Sequence, residues 1–193
     1  MVYRYIILAA IGAVIWVLNG RHIAEGARNR IVCEIYAHVG LGIFFTALAL
    51  EATLGGTEGW AQGDIHWLRI LGFALYAPAA VFVFGAIIAL HHRGEAGGGE
   101  ALSSHGTTVV VDSGVFGVVR HPMWLGMIIW SVALMLAAQS VPVIVLGVVA
   151  ANLFRLAAVK ETDFNIERFG DAYREYISRV PMWNVFKRLR RRV

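Results

Sequence analysis

Five long runs of mostly apolar residues divide this chain, each close to the length a helix needs to cross a lipid bilayer. A spanning helix takes about 20 such residues, and lipid offers no water to satisfy an unpaired backbone. The runs are Tyr3–Leu18, Ile31–Leu54, Trp67–Leu90, Met123–Ala138 and Val141–Val159. Composition favours a membrane over a soluble core. Of 193 residues, 58% are hydrophobic and 16% charged, against about 45–50% and about 25% in soluble domains. The sequence predicts one all-α membrane domain, with helices 1–3 in residues 1–90 and a loop, a helical hairpin and a C-terminal cytosolic helical segment in 91–193. The first run reads as a retained helix: it ends in Asn19-Gly20-Arg21 without the small-residue pattern of a cleaved leader.

Only Gln139-Ser140-Val141-Pro142 separates the last two runs, so they form a tight antiparallel hairpin with Pro142 in the first turn of its second helix. Positive charge orients the set. Arg21, Arg28 and Arg30 fall in the first loop, Arg93 and Arg120 in the third. Lys160, Arg168, Arg174, Arg179, Lys187, Arg188, Arg190, Arg191 and Arg192 follow the fifth run, whereas the second loop, Gly55–His66, has no Lys or Arg. The expected topology puts the N-terminus outside and the C-terminus in the cytoplasm. A basic tail on such a protein suits anionic lipid and argues against nucleic acid as a partner. Cys33, the single cysteine, excludes an internal disulfide, and its apolar setting reads as packing.

The third loop, His91–Val119, is the longest polar connection. Its glycine-rich Gly94–Glu100 stretch resists ordering and reads equally as a connector or as a lid. Thr107–Val111 is β-branched and extended by preference, and Asp112-Ser113-Gly114 reads as a turn. His121, just before Pro122 at the mouth of the fourth run, reads as an interfacial capping group or a ligand contact. His91, His92, His105 and His121 fit no recognised ligand spacing, so no metal is expected. Glu34 and His38 lie four apart on one face of the second helix, as a functional pair or an interfacial hydrogen-bonded one. Arg155, inside the fifth run, either snorkels to the headgroups or meets an anionic substrate group. Glu161 and Asp163 open a polar amphipathic segment that Gly170 ends, and Asp171–Tyr176 begins another short helix.

These pieces together resemble the isoprenylcysteine carboxyl methyltransferase superfamily of integral membrane methyltransferases, which includes phospholipid and small-thiol methyltransferases. The resemblance runs from about Thr108 to Trp183. It rests on Val111-Asp112-Ser113-Gly114-Val115-Phe116, Arg120-His121-Pro122-Met123-Trp124-Leu125-Gly126, Lys160-Glu161, Phe169-Gly170-Asp171-Ala172-Tyr173 and Arg179-Val180-Pro181, in that order around a tight hairpin. It implies S-adenosylmethionine as methyl donor, S-adenosylhomocysteine as product, and a lipophilic acceptor drawn from the bilayer, such as an isoprenylcysteine or isoprenoid carboxylate. Phospholipid amines and small thiols stay open. Carried over by position, donor contacts fall on Thr108, Val109, Val110, Val111, Phe116, His121, Pro122, Met123, Trp124 and Glu161. Phe116 and Trp124 stand where the family usually has tyrosine, and Ala157 stands where the isoprenylcysteine enzymes have a substrate arginine, which leaves Arg155 as the candidate substrate contact. No acid–base residue is assigned. An NADPH-dependent sterol-reductase-like enzyme and a non-catalytic membrane module are the alternatives.

Overall fold

The computed structural model describes residues 2–93 and 107–185. Among them it is all-helical: α1 (Val2–Arg28), α2 (Val32–Leu54), α3 (His66–Arg93), a single 3₁₀ turn (Gly114–Gly117), α4 (Pro122–Ala138), α5 (Val141–Phe169) and α6 (Asp171–Arg179). The protein is an all-α membrane protein. Four helices are long and apolar enough to cross a bilayer. The other, α4, has 17 residues; at 1.5 Å per residue it is about 26 Å long, just short of the hydrocarbon core of about 30 Å. It can be short because its polar start is buried in protein rather than presented to headgroups.

Three expectations change. The first loop is mostly helix, since α1 continues to Arg28. Asn19-Gly20 does not end it because Asn19 directs its amide back to the Ile15 carbonyl at 2.9 Å, inside the helix. α5 also runs unbroken from the apolar stretch through Glu161 to Phe169, where Gly170 at φ +57° stops it. The β-branched segment before the 3₁₀ turn forms no strand. No neighbouring strand offers a ladder among the described residues, and Thr107–Val111 lies as irregular chain. The glycine-rich 94–100 stretch, His105 and the basic cluster 187–192 lie outside the described residues.

The helices pack in the spatial order α1–α2–α5–α4–α3. At the second-loop end, the Glu51 carboxylate accepts hydrogen bonds from Trp60 Nε1, Gln62 Nε2 and Ser140 Oγ, tying that loop to the hairpin. Helix α4 lies against α3 through glycines. A Cβ on Gly126 would stand 2.8 Å from the Ala79 carbonyl, and one on Gly72 would stand 2.8 Å from the Ala133 carbonyl. Small residues of this kind let membrane helices pack closely where burial from water supplies no drive. Gly126→Val should therefore lower stability by about 1–3 kcal/mol, read as an earlier thermal unfolding transition in detergent, while Gly12→Ala, whose Cβ would meet nothing within 4 Å, should change little.

Candidate functional site

The inward face of α5 is set by helical period: Phe154, Ala157, Ala158, Glu161 and Asn165 are all buried. Three small or aromatic residues precede a carboxylate, and that carboxylate is only 8% exposed. An isolated charge in such a place is costly, so it must be paired and hydrogen-bonded. The donors come from α4 and the residue before it. His121 Nδ1 lies 3.0 Å from Glu161 Oε2, and Trp124 Nε1 donates to the same oxygen. His121 Nε2 lies 2.7 Å from Thr162 Oγ1, whose hydroxyl donates to the Ala158 carbonyl at 3.1 Å. Both ring nitrogens thus face oxygen acceptors. The His121 side chain caps no helix; Pro122 supplies the helix start and leaves the imidazole turned toward α5. Trp124 also stacks on Phe154, with centroids 6.0 Å apart and planes at 12°.

The segment 107–121 is held from the other side by α6 and the chain beyond it. Tyr176 donates its hydroxyl to the Phe116 carbonyl at 2.7 Å, Arg120 N–H donates to the Pro181 carbonyl at 3.0 Å, and Arg179 pairs with Asp112 at 3.2 Å. Burial pushes the Tyr173 phenol up to about 12, and that of Tyr176 further still, so both keep their protons. The Tyr173 hydroxyl meets the side chains of Asn165 and Thr162.

Three cavities meet at Glu161. The largest, about 310 Å³, lies in the apolar layer between α2, α3, α4 and α5, with Leu41, Phe45, Val83, Met127 and Trp130 among its walls. A polar one of about 30 Å³ is lined by Val109–Val111, Phe116, Arg120, Asn165 and Tyr173. The smallest, about 10 Å³, lies against Phe116 and the His121–Trp124 turn. Arg120 Nε and Asn165 Oδ1, both on the polar cavity, are buried without a hydrogen-bond partner among the described residues. A buried donor and a buried acceptor left open on one cavity are a cradle for a ligand that carries both kinds of group.

Of the residues singled out in the sequence, Val109, Val110, Val111, Phe116, His121, Pro122, Met123, Trp124 and Glu161 all reach one or more of these cavities. Thr108 does not; it is exposed beside them. Arg155 is not brought to the site either. One residue past Phe154, it is rotated about 100° off the inward face and lies exposed, where its stem can run along lipid toward the headgroups. Asn165 was missed in the sequence, although its place one turn after Glu161 on an amphipathic helix was the available signal.

Comparison with known proteins converges on the same segment. Residues 67–172 match the family model described as phospholipid methyltransferase. The protein-S-isoprenylcysteine O-methyltransferase of Schizosaccharomyces pombe is 30% identical over 74 residues, which is 38% of this chain and 31% of that protein. The chain therefore matches about a third of that relative's length. No solved structure matches. Trp124→Phe, which keeps the ring but removes one donor from a buried carboxylate, should cost about 1–3 kcal/mol; Arg155→Ala should stay within about 0.5 kcal/mol. Paired unfolding curves in one detergent would read both, and equal losses would contradict this placement.

Proposed function

The chain belongs to the phospholipid methyltransferase family, and on that footing we propose that it transfers a methyl group from S-adenosylmethionine to a lipophilic acceptor taken from the bilayer. The single observation carrying this reading is that Glu161 forms part of both a polar cavity and an apolar one. A hydrophilic donor and a lipid-soluble acceptor need separate chambers that touch where the reacting atoms meet.

The donor supplies an electrophilic methyl group on a sulfonium. The residues of the polar cavity match its other groups: Arg120 Nε as donor to a carboxylate, Asn165 Oδ1 as acceptor from an amine or hydroxyl, and Glu161 as the anion beside positive charge. Phe116 and Tyr173 offer faces to a purine. At about 30 Å³ the cavity is far below the about 300–1,000 Å³ of small-molecule sites, so seating the donor requires Val109–Val111 to move away from α5. The apolar cavity, at about 310 Å³, already has that size. Both α2 and α3 line it, and they are not among the closely packed helix pairs, so the space between them is the route we assign from lipid. Dry walls raise the energy of separated charges and align the reactants, so positioning carries much of the rate.

Among acceptors, a prenylcysteine carboxylate fits least. Arg155 is exposed off the inward face, and the apolar cavity has Glu34 and Glu161 on its wall and no Lys or Arg among the described residues. A lipophilic amine or thiol meets no such repulsion. The cytoplasm is the side we assign to the basic end, where the donor is made. Calorimetric titration in detergent should give micromolar binding of S-adenosylmethionine and S-adenosylhomocysteine but none of NADPH, weakened at least about tenfold, or about 1.4 kcal/mol, by Glu161→Ala and by His121→Ala. Unchanged affinity in both variants would refute the site.

A further inference from the structure

The α2 wall of the apolar cavity carries a polar cluster that donor binding does not use. His38 lines the cavity, and its Nδ1 lies 3.1 Å from Asn19 Oδ1 on α1. Asn19 is buried, and its Nδ2 donates to the Ile15 carbonyl. That bond fixes the amide, so Oδ1 is the acceptor and His38 Nδ1 must carry the hydrogen. In the neutral ring the lone pair then sits on Nε2. A face of the His38 ring stacks on His22, with centroids 4.4 Å apart and planes at 12°. His22 is half exposed, and its Nδ1 lies 3.6 Å from Glu25 Oε2, itself half exposed. Asn19, His22 and Glu25 therefore form a file from the cavity wall to the aqueous boundary at the basic end. Packing alone does not call for it, since polar groups inside a bundle cost free energy that leucine would not.

We propose that His38 Nε2 accepts the proton released when a nucleophile bearing N–H or S–H is methylated in the apolar cavity. This rests on the methyltransferase reading above. The nucleophile's lone pair forms the bond to the methyl carbon, and the carbon–sulfur bond breaks with its electron pair kept by sulfur. The hydrogen on the acceptor's nitrogen or sulfur leaves as a proton to His38. Glu34, one turn earlier on α2, and Glu161, from α5, line the same cavity. Cys33 is the remaining titratable group on the wall.

The test uses the full chain in detergent with S-adenosylmethionine and three probes: dodecylamine, dodecanethiol and N-acetyl-S-farnesylcysteine. We expect methylation of the amine or the thiol, a fall in kcat of at least about a hundredfold in His38→Ala, donor affinity unchanged, and partial recovery on adding imidazole. A merely structural histidine would not be rescued by imidazole. Without any donor, 15N-histidine spectra should show His38, assigned by its loss in His38→Ala, as the Nδ1–H tautomer, moving toward Nε2–H in Asn19→Leu. Methylation of the farnesylcysteine carboxylate alone, methylation of none of the probes, kcat retained in His38→Ala, or an Nε2–H tautomer in the wild type would each overturn the proposal. Wild-type protein that fails to bind the donor would sink the methyltransferase reading itself; donor binding with kcat retained would sink only the role of His38.

Discussion

A carboxylate buried in a bundle that lipid surrounds has few ways to exist. Glu161 is one, and the structure around it follows from what its burial demands. It must be met by donors, and the nearest come from the first turn of α4 and the residue before it: His121 through Nδ1 and Trp124 through Nε1. Those two bonds fix how α4 enters the bundle against α5. Breaking either leaves charge insufficiently compensated in a medium of low dielectric, which costs far more than the bond contributes when made. The tight hairpin fixes the far ends of the same two helices, so α4 has little freedom left.

The same constraint creates the functional geometry. Because the carboxylate is pulled inward, it stands where the apolar space between the helices ends and the polar space under residues 107–121 begins. Tyr176 and the Pro181 carbonyl hold that segment against α5 from the aqueous side. A position shared by a wet and a greasy chamber is what methyl transfer between a nucleotide-like donor and a membrane acceptor requires, and among the described residues Glu161 alone lines both.

Much of the architecture was legible in the chain. The spans begin and end within a few residues of their apolar limits, except that α1 and α5 run on past theirs, and Gly170 closes α5 where its position suggested. Helix continuation past Asn19 was not legible, because whether an asparagine breaks a helix depends on where its amide finds a partner, and here Ile15 and His38 supply both. The β-branched run at 107–111 shows the same limit: extended preference makes a strand only beside another strand. Trp124 stands where the family usually has tyrosine, and only the fold shows that its indole N–H reaches Glu161.

What the sequence alone determined is what depends on local chemistry and periodicity: the membrane class, the apolar helices, the hairpin, and the segment that carries the candidate site. What only the tertiary structure decided is which side chains converge. Arg155 and Asn165 sit on one helix, the first exposed and the second facing a cavity, and Asn19, His22 and His38 come together from two helices in a cluster no motif announced. Contacts between helices depend on rotation and depth of packing, which are set by the whole bundle and by where each buried polar group finds its partner, and no stretch of chain read by itself contains that information.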